Sequence, residues 1–171
     1  PKINAAFPAP PLQEDYEDNW RYFAFITLNT TAGGAGISND VYNFPVLVRL
    51  TSENFDFSQT LPNGEDVRFS KSDGTQLYYD IQRGDRASGL AEIWVKLDVI
   101  YGDRNNQKIT MYWGNPNAED NSSGEQVFHT KEGFTGVWHL DADPTLGDGT
   151  IFDVTHNSFD GSTRGTWTSN D

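Results

Sequence analysis

The feature that most restricts this chain is a two-residue alternation of apolar and polar side chains, interrupted at short intervals by turn chemistry. From Trp20 onward, strand-like runs recur as Arg21–Asn29, Phe44–Thr51, Val67–Lys71, Gln76–Gln82, Leu90–Val99 and Lys108–Trp113. Between them stand Gly33-Gly34, Asn63-Gly64, Asp73-Gly74, Gly84-Asp85, Gly102-Asp103 and Gly114-Asn115-Pro116, residue types that accept positive φ or pre-set a turn. Asp73-Gly74 is the strongest hairpin signal, because both positions tolerate positive φ. Side chains alternate across a strand but recur every three to four positions along a helix, and no window sustains the helical period with caps. The pattern predicts an all-β fold, an antiparallel β-sandwich of the jelly-roll or immunoglobulin-like kind, with a β-rich C-terminal extension.

The same alternation sorts the side chains. One set, Val46, Val48, Leu50, Val67, Phe69, Leu77, Tyr79, Ile81, Ile93, Val95, Leu97, Ile109, Met111 and Trp113, is expected in the core. The opposite register carries Arg49, Arg68, Tyr78, Asp80, Glu92, Trp94, Lys96, Thr110 and Tyr112.

Three stretches follow from composition. Residues 1–19 hold Pro1, Pro8, Pro10 and Pro11, then Glu14, Asp15, Glu17 and Asp18, which reads as an extended Pro-rich and acidic arm. Residues 20–121 make the sandwich. Residues 122–171 are a linker and a further β-rich segment, too short for an independent core without disulfides or metal. The chain has no cysteine, so disulfides and thiolate chemistry are excluded. A formal charge of −13 repels phosphate backbones and anionic headgroups, which argues against nucleic acid and membrane surfaces as partners. No apolar stretch approaches the roughly 20 residues of a membrane-spanning helix.

Trp94, Tyr78 and Tyr112 share the polar register with Arg49, Arg68, Asp80 and Glu92. Flat aromatic faces beside hydrogen-bonding groups suit a sugar ring, whose CH face stacks while its hydroxyls find partners. The competing reading is that another part of the chain covers this face and its aromatics are packing. Asp80 with Glu92 forms a conceivable glycosidase pair, but 25 acidic residues make such pairs ordinary. His129, His139 and His156 show no zinc-ligand spacing, and Gly33-Gly34-Ala35-Gly36 lacks the Lys and helix of a phosphate loop. The expectation is therefore binding without turnover.

Several ordered motifs carry a resemblance: Trp20-Arg21-Tyr22, Phe44-Pro45-Val46-Leu47-Val48, Asn54-Phe55-Asp56-Phe57, Gly64-Glu65-Asp66-Val67-Arg68-Phe69, Ile93-Trp94-Val95-Lys96 and Met111-Tyr112-Trp113-Gly114-Asn115-Pro116. Over about Trp20 to Asn121 the chain resembles a bacterial domain of unknown function found with MotA/TolQ/ExbB-type proton-channel proteins and in large secreted proteins. Gly136-Val137-Trp138-His139-Leu140, Asp153-Val154-Thr155-His156-Asn157 and Phe159-Asp160-Gly161 resemble the opening of a LamG (concanavalin A-like) domain. The resemblance implies a β-sandwich on a secreted, cell-surface or periplasmic protein with carbohydrate-associated neighbours. Concanavalin A-like domains often hold Ca²⁺ near such loops, which singles out Asp141, Asp143 and Asp153, with His139 and Asp148 nearby; the alternative is a solvated loop whose aspartates cap local backbone. Three functions follow as expectations. The first is a carbohydrate-binding or adhesion module whose partner is a polysaccharide or surface glycan. The second is a fibre or envelope-assembly subunit that self-associates through the N-terminal arm or the C-terminal segment. The third is a periplasmic accessory domain of a proton-channel protein.

Overall fold

Six strands close a two-layer sandwich: β1 (Tyr22–Leu28), β2 (Val41–Thr51), β3 (Arg68–Lys71), β4 (Tyr79–Asp85), β5 (Leu90–Ile100) and β6 (Gln107–Trp113). The computed structural model describes residues 19–140 and 150–162. One sheet has the order β1-β6-β3 and the other β2-β5-β4, with every pairing antiparallel. The first strand pairs with the last and the second with the fifth, while the third and fourth follow one another across the edge. That is the wrapping of a jelly roll, here with six strands. A two-residue ladder, β7 (Thr150–Ile151) with β8 (Gly161–Ser162), lies in the C-terminal extension. The sandwich expected from alternation is the one observed.

The expected inward set fills the space between the sheets. Phe69, Ile93, Val95, Leu97, Ile109 and Met111 are almost wholly sealed, and Val46 and Ile81 pack at the margin. Burying one such side chain is worth roughly 1.5–3 kcal/mol, so this row dominates the fold. β4 begins three residues later than the sequence pattern suggests. Leu77 donates to Phe69 O and Gln76 bridges Ser70 in the first sheet, whereas Tyr78 O accepts from Lys96 in the second. The chain therefore changes sheets within the predicted strand without losing its in-out alternation. At Asp73-Gly74, Gly74 takes φ +85° and the Asp73 carboxylate accepts from Thr75 N–H, closing the hairpin.

Alternation slips within β2. Val41 and Val46, five residues apart, both pack on the core, and their partners Ile100 and Val95 are both buried. Asn43 sits between with φ +52°, a left-handed conformation that asparagine tolerates better than most residues.

One end of the sandwich is closed by aromatic packing. Trp113 stacks on Tyr22 at 5.8 Å, meets Phe55 edge-on at 5.1 Å, and donates through Nε1 to Gln59 Oε1 at 3.0 Å. Asp66 ties this end together. Its buried carboxylate accepts from Leu61 N at 2.9 Å and Gly114 N at 2.6 Å, while its carbonyl accepts from Trp20 Nε1 at 2.6 Å. Gly114 has φ +92°, and a Cβ there would lie 2.6 Å from the Tyr22 ring, so glycine is required.

Asp66→Ala strands two amide donors, each worth about 1–3 kcal/mol when left unpaired. The expected result is a loss of about 3 kcal/mol by chemical denaturation, with Tm lower by on the order of 10 °C. A Tm within about 2 °C of the parent would contradict the role given to Asp66.

Candidate functional site: the outer face of the β2-β5-β4 sheet

Alternation tells inside from outside, but it does not tell one sheet from the other. Trp94, Glu92, Arg49, Asp80 and Tyr78 lie on or beside the outer face of the β2-β5-β4 sheet, where Arg49 is paired with Glu92 and both Leu47 and Asp80 with Trp94. Tyr112 and Arg68 pair with each other in the opposite sheet. The structure thus brings five of the seven expected ligand contacts together and separates the other two. Tyr112 is buried, its hydroxyl accepting from Ser70 at 3.4 Å. Arg68 is buried at the sandwich edge. Its Nη1 donates to Glu65 O, Val67 O and the Tyr79 hydroxyl, each at 2.8 Å, and Nη2 donates to Glu119 O at 2.6 Å. The guanidinium also lies 5.5 Å from the Trp20 ring centroid. Burial pushes the Tyr79 phenol up to about 12, with Arg68 opposing.

On the Trp94 face, half the surface is covered and half is open. The chain after β6 returns along the free edge of β4, where Ile81 N donates to Ser122 Oγ and Ser123 N donates to Tyr79 O, both at 2.8 Å. These bonds satisfy an edge that would otherwise be exposed. Ser123 then caps a single helical turn, Gly124–Val127. A Cβ at Gly124 would lie 2.6 Å from Val154 Cβ, so the close approach of the extension needs glycine. Beyond the turn, Phe128 lies edge-on to Trp94 at 5.8 Å, to Phe134 at 5.4 Å and to His139 at 5.8 Å. His139 Nε2 reaches Asp80 Oδ2 at 2.7 Å, both side chains being nearly buried. Asp80 Oδ1 accepts from Ser122 Oγ at 3.3 Å. Lys96 donates to Gln126 O at 3.4 Å and approaches Glu132 at 3.7 Å; burial lowers its ammonium pKa, with Glu132 opposing.

The other half stays accessible. Trp94 is half-buried, and its Nε1 donates to Gln82 Oε1 at 2.8 Å. Arg49 donates through Nε at 3.0 Å and Nη2 at 2.7 Å to the single oxygen Glu92 Oε1. The Arg49 side chain is 60% exposed. An aromatic ring, a cation and a carboxylate are therefore presented side by side, with the ring's own polar atom already satisfied. Sequence reasoning missed Gln82, Ser122, Phe128 and His139 as neighbours of this face. Gln82 lies on the neighbouring strand β4; for Ser122, Phe128 and His139 the residue type was visible, but nothing local indicates that a segment thirty or more residues away folds back.

Of the expected Ca²⁺ ligands, Asp141 and Asp143 lie outside the described residues, as does Asp148. Asp153 is buried and fully occupied. Oδ1 accepts from Val137 N and Thr155 N, and Oδ2 accepts from Thr155 Oγ1 and Phe159 N. Four donors fill the acceptor positions of one carboxylate, which makes Asp153 the organiser of the extension. Among the described residues no cluster of three or more His, Asp or Glu side chains is placed to hold a metal.

Burial raises the Asp153 carboxyl, but those hydrogen bonds outweigh it and hold the group below its ordinary value. Burial, aided by Lys96 and Lys131 against Glu132 and Glu125, lowers the His129 imidazole below its ordinary 6.5. Both groups bind fewer protons in the folded state than in the unfolded chain, so both contributions shrink on acidification. The His129 contribution is complete above about 6.5 and declines below it; that of Asp153 is complete above about 3.9 and declines further down. Between pH 7 and 5 the parent should lose more unfolding free energy than His129→Gln. An equal or smaller loss in the parent would contradict the burial of the neutral imidazole.

No curated protein and no solved structure matches the chain. The model of a family described as a domain of unknown function (DUF2341) matches residues 63–169, well over half of the sequence. Glu92, Trp94, Asp80 and the segment that covers them lie in the matched part of the chain, whereas β2 with Arg49 precedes it. The match starts inside the sandwich and runs on through the extension, across the boundary expected near residue 121. Strands β3 to β6 and the segment that folds back over them are thus covered by one family model, and the chain belongs to the DUF2341 family.

Proposed function

We propose that this chain is a non-catalytic glycan-binding or adhesion module of an exported bacterial protein, reading its ligand on the open half of the Trp94 face. The observation that carries the proposal is the half-buried Trp94 beside the outward Arg49–Glu92 pair. An aromatic plane receives the CH face of a pyranose, and a fixed cation-carboxylate pair supplies a donor and an acceptor for its hydroxyls. Both Arg49 bonds converge on Glu92 Oε1, so Oε2 is left to accept from a ligand. Strand positions make the pair rigid, which lowers the ordering cost of binding.

The carboxylates that could serve hydrolysis are engaged elsewhere. Glu92 is held by Arg49 and Asp80 by His139 and Ser122. That arrangement favours recognition over acid-base work, which needs one carboxyl kept protonated and a second free to act.

A second reading has its own observation. β1 is the outer strand of its sheet, and its outward Phe23 and Phe25 are 62% and 63% exposed. An edge strand with two exposed aromatics suits strand addition by a neighbouring chain. The N-terminal arm expected to play that part lies outside the described residues up to position 18. Light scattering of the parent and of Phe25→Lys decides this reading: a monomer in both removes it.

The glycan reading predicts that a polysaccharide array gives at least one hit. Arg49→Ala should weaken that hit by about tenfold, as expected for a charge-assisted hydrogen bond. Its Tm should stay within about 2 °C, since exposed ion pairs contribute little. A silent array, or a hit untouched by both Arg49→Ala and Trp94→Leu, would reject the proposal.

A further inference from the structure

At the end of the sandwich opposite the Trp113 cluster, β3, β5 and the β5–β6 connection enclose a groove of about 480 Å³, within the size range of small-molecule sites. Lys71, Arg104 and Lys108 line it beside Asp73 and Asp98, which both approach Lys71, so three of the 12 basic residues meet two carboxylates here in a chain of formal charge −13. Such clustering runs against the field of the rest of the molecule and marks a place where an anion is tolerated.

The groove is held in shape by the backbone around it. Thr30 is buried; its N–H donates to Arg104 O at 2.7 Å and its hydroxyl accepts from Arg104 N at 2.8 Å. Asp103 N is bonded to Ile37 O, and Gly102 N to Asp40 Oδ1. Gln107 accepts from Tyr101 N at 2.9 Å and donates to Val99 O at 2.8 Å. Tyr101 is thereby fixed with its side chain 47% exposed at the rim. Lys71 is positioned by Asp98 at 3.0 Å, and Lys108 rests over the Phe25 ring at 5.4 Å. No described residue engages the Arg104 guanidinium, which is the strongest donor array in the groove.

The geometry points to a second binding site, for an oligosaccharide that carries carboxylates. Arg104 and Lys108 match a carboxylate, Tyr101 offers a stacking face for the ring, and Asp98 can accept from hydroxyls. A densely charged polyanion such as nucleic acid is disfavoured by the overall negative charge, whereas one carboxylate per sugar ring is a smaller load. This site shares a ligand class with the Trp94 face but none of its residues, so each is tested by its own variants.

The test is titration of the full chain with trigalacturonate and with its fully methyl-esterified counterpart, followed by calorimetry and amide NMR shifts. Trigalacturonate should move the Tyr101 and Gln107 amides, and esterification should weaken binding by about tenfold or more. Arg104→Ala and Lys108→Ala should each weaken it by about tenfold with Tm retained, while Arg49→Ala leaves it unchanged. Equal binding of the ester, displacement by inorganic phosphate at equal concentration, or no shift at Tyr101 and Gln107 would each overturn the assignment. Binding lost in Arg49→Ala but kept in Arg104→Ala would move the ligand to the Trp94 face and overturn the groove as its site.

Discussion

Everything in this molecule depends on the inward row of β5. Ala91, Ile93, Val95 and Leu97 are sealed against the second sheet, and among the described strands of its sheet β5 alone is flanked on both sides. Because side chains alternate along a strand, fixing that row inward fixes Glu92, Trp94 and Lys96 outward. A slip of one residue would expose the core and bury the charges, at a cost far beyond the net stability of a domain. The outward face is therefore a consequence of the core rather than a separate design.

What happens to that face is decided by the chain that follows β6. Ser122 and Ser123 close the β4 edge, and Phe128 and His139 then settle against Trp94 and Asp80. The covered half partners its polar side chains, Asp80 with His139 and Lys96 with Glu132, because an unpartnered polar or charged group in that position would be costly. On the other half Arg49 is 60% exposed and Trp94 is half-buried. The sheet surface is thus divided between a strand floor and a wall built by the returning segment. The family match takes in strands β3 to β6 together with this returning segment.

Much of the fold was legible in the sequence, for a physical reason. The alternation of Ile93, Val95 and Leu97, or of Ile109, Met111 and Trp113, reports burial directly, and the Asp73-Gly74 turn reports its own geometry. The site was only half legible. Tyr112 and Arg68 have the outward parity of Trp94, yet they sit on the other sheet, because parity carries no information about which layer a strand joins. Asp153 looked like a metal ligand among acidic neighbours; its oxygens are taken by backbone donors from residues before and after it. Phe128 and His139 gave no local signal, since their partners Trp94 and Asp80 lie far back in the sequence. The cationic groove was invisible for the same reason: Lys71, Arg104 and Lys108 converge only when the sheets close.

Residues 122–140 form an integral wall on the β2-β5-β4 sheet. Native-state amide hydrogen exchange tests it most directly. The amides of Ser123 and Phe128, bonded to Tyr79 O and Gly124 O, should be protected in the folded protein together with those of Ile93 and Val95. Exchange of Ser123 and Phe128 at the rate of an unstructured chain, with β5 still protected, would contradict it.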